Sequence, residues 1–148
     1  MQKSLLVLAC AIASPAFAAS CESLASLALP NTTITSAQIV PAGQFSQPNA
    51  TGKGKGANAF KELPEFCRVA ATLKPSSDSD IKIEVWLPVA NWNRKLQAVG
   101  NGGWAGVISY PAMADAIKAG YATVSTDTGH STAGRHTARG HPSTTTAL

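Results

Sequence analysis

Residues 96–106 read LQAVGNGGWAG, an apolar run that passes directly into a glycine-rich loop. Glycine lets backbone N–H groups approach a bound atom with no Cβ in the way. Aimed at an ester carbonyl, such N–H groups form an oxyanion hole. Aimed at a phosphate, they form an anion cradle. The plainer alternative is a glycine turn with Trp104 as a core plug.

The phosphate use has partial support. Gly100, Gly102 and Ala105 nearly match the dinucleotide-binding fingerprint, and Asp127 follows about twenty residues on. Three features oppose it. The chain carries an export signal, and nicotinamide cofactors are scarce outside cells. The loop runs on to Ser109 before a helix can start, whereas the fingerprint seats the pyrophosphate on the helix N-terminus. A strand hairpin also precedes the unit, where such a domain usually begins. In α/β-hydrolases, by contrast, one oxyanion donor comes from a loop after the third strand and another from the residue after the nucleophile. Counted from the hairpin, this loop has that position.

A nucleophile is harder to find. Gly129, His130, Ser131 and Ala133 resemble a nucleophile elbow with Ala133 in place of the second glycine. The triad order on that fold is Ser, then Asp or Glu, then His. No acidic residue follows Ser131, because Asp127 is the last in the chain. No helix pattern follows it either. Ser131 is therefore read as a loop residue, and Asp127 and His130 as shaping the turn after a strand. His130, His136 and His141 have no metal-ligand spacing.

The elements that must position the loop are legible around it. Cys21 to Leu29 has helical spacing and stops at Pro30. Asn31 to Ile39, rich in Thr and Ile, suits a strand. Gly43 to Lys61 is Gly-, Lys- and Asn-rich and reads as an exposed loop. Phe66 to Leu73 and Ile81 to Leu87 read as strands, the second with a clean period of two. The turn residues 76–79, SSDS, join them as an antiparallel hairpin. Lys95 to Val99 is a short strand, Tyr110 to Ala119 a helix stopped by Gly120, and Tyr121 to Thr126 another strand. The order predicts an α/β sheet that begins antiparallel and becomes parallel.

The ends carry different information. Lys3, the apolar run 4–13 and the Ala16/Ala18 cleavage pattern make residues 1–19 a secretory signal peptide. The chain without it has a formal charge of about +3 and scattered basic residues, which disfavours nucleic-acid binding. No later run is long enough to span a membrane. Cys21 and Cys67 then remain, an even pair in an oxidising compartment, read most simply as one disulfide. Residues 20–131 form the organised part. Residues 132–148 have no legible element, as expected of a disordered or aberrant tail.

The ordered motifs resemble the N-terminal part of the tannase and feruloyl esterase family. They are LPEFCRV at 63–69, IKIEVWLP at 81–88, WNRK at 92–95, VGNGGWAG at 99–106, GYATV at 120–124 and STDTGHS at 125–131. The family's early cysteine pair looks like Cys21 and Cys67. The resemblance implies the N-terminal portion of an α/β-hydrolase fold, as an incomplete domain. It implies hydrolysis of small aromatic-acid esters through a serine acyl-enzyme. It also implies a Ser-Asp-His triad and an inserted lid that often binds calcium, neither of which matches residues here. The expectation is therefore a secreted, truncated and inactive chain with no catalytic residue, no metal and no cofactor. Only the oxyanion loop carries over, with Gly102 and Gly103 as backbone donors and Trp104 walling the aromatic-acid pocket. The alternatives are a non-catalytic secreted fragment that binds ligands through Trp86, Trp92 and Trp104, or a dinucleotide-binding domain.

Overall fold

A computed structural model of the chain describes residues 19–48, 60–101 and 106–129. Residues 1–18, 49–59, 102–105 and 130–148 lie outside the described residues, and with them the expected signal peptide and tail. Five strands form one sheet: β1 (Thr32–Val40), β2 (Phe66–Leu73), β3 (Ile81–Pro88), β4 (Leu96–Val99) and β5 (Ala122–Thr126). Their spatial order is β1-β2-β3-β5-β4. A single α-helix among the described residues, α1 (Tyr110–Lys118), connects β4 to β5.

The pairing follows the sequence-based expectation. β2 and β3 pair antiparallel from Phe66–Pro88 to Leu73–Ile81. The hairpin turn is closed by the Ser79 N–H on the Ser76 carbonyl at 3.1 Å, while the Ser76 hydroxyl donates to Asp78 at 2.6 Å. β3 pairs antiparallel with β5, and β5 pairs parallel with β4. The sheet thus changes from antiparallel to parallel at β5, as expected for a strand–helix–strand crossover. β1 adds antiparallel to β2, with a bulge between Ile34 and Ser36. The intervening Thr35 hydroxyl donates to the Ala70 carbonyl at 3.0 Å.

One face of the sheet is covered. Phe66, Trp86 and Thr123 share that face by register, and all are fully buried. Met113, Ala114 and Ile117 of α1 pack over it. The opposite face carries Val69, Ile83, Val85, Leu87 and Val124, each only partly buried. The period of two in β3 is therefore real, but its deeply buried members are Glu84 and Trp86, not the Ile and Val set. Burial is decided here by which face α1 covers.

Two sequence expectations are corrected. The helix expected over Cys21 to Leu29 is a 3-10 turn at Glu22–Ser26, with no buried residue. An apolar stripe with no surface to bury against gives a helix little support. The stretch from Gly43 to Lys61 is not wholly exposed. Phe45 and Phe60, near its two ends, are buried and meet edge to face at 5.0 Å. The Gly43 N–H donates to the Leu63 carbonyl at 2.9 Å, and its φ of +69° suits glycine. These rings extend the core formed by Phe66, Trp86 and Tyr110.

Candidate functional site

The glycine loop leaves the carboxyl end of β4 and reaches α1, with β5 lying parallel alongside β4. Ligands in open α/β sheets bind outside the carboxyl ends of parallel strands. Gly102, Gly103 and Trp104 fall outside the described residues, as do His130 and Ser131. The two ends of the loop, Asn101 and Gly106 to Ser109, are among the described residues. The Asn101 amide donates to the Thr126 carbonyl at 2.9 Å, and its oxygen accepts the Val107 N–H at 3.3 Å. Farther along, the Ser109 N–H donates to the buried Ser125 hydroxyl at 3.1 Å. The loop ends are thus fastened to the carboxyl end of β5.

The helix that follows is anchored at its first residue. Pro111 occupies the first turn, where its missing N–H costs nothing. The Tyr110 hydroxyl donates to Glu84 at 2.9 Å. Glu84, only 3% exposed, also accepts the Trp86 indole N–H at 2.8 Å and the Arg68 Nε–H at 2.9 Å. A second Arg68 nitrogen, Nη2, pairs with the other carboxylate oxygen of Glu84. A buried carboxylate is tolerable only when paired in this manner. The hydrogen bond to Glu84 raises the Arg68 guanidinium above its already high value, against the opposing effect of burial. Burial, followed by the nearby negative Glu84, pushes the Tyr110 phenol above its ordinary range. Arg68 also lies 5.6 Å from the centre of the Phe45 ring.

Beside this network is a cleft of about 610 Å³. Arg68, Lys82, Glu84, Asp127 and Tyr110 line it, together with Gly106, Val107 and Ile108 at the far end of the glycine loop. Its volume is in the range of small-ligand sites. Arg68 is paired with Glu84 within the wall, and Lys82 with Asp80, which lies outside the lining. The hydrogen bond from Lys82 lowers the Asp80 carboxyl below the usual range.

Asp127 has a local task. Its Oδ1 accepts the Lys82 N–H at 2.8 Å and the Gly129 N–H at 2.9 Å. Thr128 and Gly129 then turn with φ of 53° and 76°. This is the turn-shaping role expected from sequence. Trp86 is fully buried and serves the core, so it offers no binding face. Trp92 is exposed, with its indole N–H on the Lys95 carbonyl at 3.0 Å. Cys21 and Cys67 form a disulfide, with Cα atoms 5.6 Å apart. Among the described residues, no group of three or more His, Cys, Asp or Glu is arranged to hold a metal ion. No helix of the described residues is long and apolar enough to cross a membrane.

Sequence reasoning missed the Glu84 network and the Asn101 fastening. Glu84 sits in the period-two pattern of β3 like an outward polar residue. Arg68 lies sixteen residues away, and only the hairpin register brings the two side chains together.

The mixed sheet, with its β4–loop–α1–β5 crossover, is the N-terminal portion of an α/β-hydrolase fold. Solved structures of esterases share it. Feruloyl esterase B from Aspergillus oryzae is 36% identical, with a TM-score of 0.62 over 74% of this chain and 21% of its own. An esterase from the same organism is 30% identical, with a TM-score of 0.61 over 74% of this chain and 22% of its own. The profile of the tannase and feruloyl esterase family matches residues 67–146. The chain belongs to that family. An uncharacterized esterase of Xanthomonas campestris pv. campestris is 45% identical over 126 residues, covering 84% of this chain and 21% of the relative. A probable feruloyl esterase B-1 of Aspergillus oryzae is 36% identical over 119 residues, covering 77% of this chain and 22% of the relative. The chain therefore spans about a fifth of the length of the relatives it matches.

Proposed function

We propose that this chain is the N-terminal part of an exported serine esterase acting on small esters of aromatic acids, and that by itself it turns over no ester. In this reading residues 1–19 direct export and residues 20–131 belong to the hydrolase domain. The observation that carries this is the position of the glycine loop. It follows a parallel strand at the carboxyl edge of the sheet, with both of its ends tied to β5.

In that role, the Gly102 and Gly103 N–H groups donate to the ester carbonyl oxygen as it becomes an oxyanion. A serine hydroxyl attacks the carbonyl carbon while a histidine takes its proton. The alcohol leaves with that proton, and water then releases the acid from the acyl-serine. Serine, histidine and acid in family order come from outside this sequence. Trp104 walls the aromatic-acid pocket. No metal or cofactor enters these steps.

A graft tests the proposal. Residues 20–131 replace the corresponding segment of Aspergillus oryzae feruloyl esterase B, and hydrolysis of methyl ferulate is measured. Retained turnover is the expected outcome. A folded graft without turnover would count against an oxyanion role for this loop.

A further inference from the structure

We infer that Asn101 is a positioning residue that clamps the two described ends of the glycine loop, residues 101 and 107, to β5. The inference rests on the oxyanion role proposed for that loop, and it deepens that role by naming what holds it.

One side chain does two jobs. The Asn101 NH₂ donates to the Thr126 carbonyl at the end of β5, across 25 residues of sequence. Its carbonyl oxygen accepts the N–H of Val107, six residues ahead in the same loop. The start of the loop is thereby fixed to the sheet, and its far end is fixed to its start. Ser125, the residue before Thr126, provides a third point by accepting the Ser109 N–H. Thr126 itself is tied through its hydroxyl to the Lys82 carbonyl in β3, at 3.0 Å. The described ends of the loop are thus referenced to two strands of the sheet.

The chemistry of the residue fits the task. An amide offers a donor and an acceptor on one planar group. Aspartate keeps only the acceptor, and alanine keeps neither. Oxyanion donors act by being fixed before charge develops, so a small displacement of the loop costs rate and not substrate affinity.

Hydrogen exchange on the full chain tests the clamp without any need for turnover. Asn101→Ala is expected to raise exchange in residues 106–109 by about tenfold, leaving residues 66–88 unchanged. Asn101→Asp is expected to fall between, since it keeps the contact to Val107. Unchanged exchange in residues 106–109 would overturn the clamp, as would acceleration spread equally over residues 66–88. The same substitutions in the esterase graft test the consequence. There kcat is expected to drop about tenfold to a hundredfold with KM within about twofold, and Asn101→Asp is expected to restore part of it. Faster exchange with unchanged kcat would leave the clamp standing and overturn the oxyanion role on which the positioning inference rests.

Discussion

Glu84 is the point at which hairpin, helix and core meet, because its carboxylate takes hydrogen bonds from Arg68, Trp86 and Tyr110. Removing one partner of such a buried pair leaves the other charge uncompensated. Arg68→Ala is expected to destabilise the fold by about 3 kcal/mol, read as a lower urea midpoint with unchanged slope. Tyr110 adds a pH dependence whose sign is fixed by its raised value. The folded state holds the phenolic proton more tightly than the unfolded chain, so the contribution is complete below about pH 10. It is lost as pH rises from there through the folded value. Tyr110→Phe is expected to cost about 1 kcal/mol at neutral pH and to flatten the alkaline fall in stability. Urea titrations near pH 8 and pH 11 on both proteins measure that difference. None of this network is legible in one dimension, since Arg68, Glu84 and Tyr110 lie on three separate elements.

The elements themselves were largely legible. β2, β3, β5 and α1 lie within a residue or so of the expected bounds, because each pairs a strong period with clear turn chemistry at its ends. The failures are where tertiary contact overrides local pattern. The 3-10 turn at Glu22–Ser26 has helical spacing but buries none of its residues. Phe45 and Phe60 sit in a polar stretch yet enter the core. Gly120 marks the stop of α1 in sequence and structure alike. Its φ is +78°, and the Tyr121 N–H donates back to the Ala116 carbonyl at 3.0 Å, which closes the helix end. A Cβ at Gly120 would lie 2.8 Å from the Asn91 carbonyl oxygen, a backbone atom with little freedom to yield. Gly120→Ala is therefore expected to cost at least about 1 kcal/mol, seen as a lower melting temperature. Elements joined by such close turns position the glycine loop, whose location was legible although its fastening to β5 was not.

At the scale of the whole molecule, the described residues give the sheet one face covered by α1 and one that is only partly buried. β4 ends the sheet, with Leu96 63% exposed and on the same side as partly buried Val124, Val85 and Ile83. A flat apolar edge without a charge is a site for association. The isolated chain is expected to self-associate in sedimentation, and Leu96→Lys to raise its monomer fraction. The same openness fits a chain that spans about a fifth of its relatives' length and, as proposed above, supplies one part of a larger catalytic site. That central claim meets its most direct test in the purified chain, assayed for release of ferulic acid from methyl ferulate. Release at the rate of the buffer blank is expected. Release well above that rate, abolished by Ser131→Ala, would contradict it and make Ser131 a nucleophile.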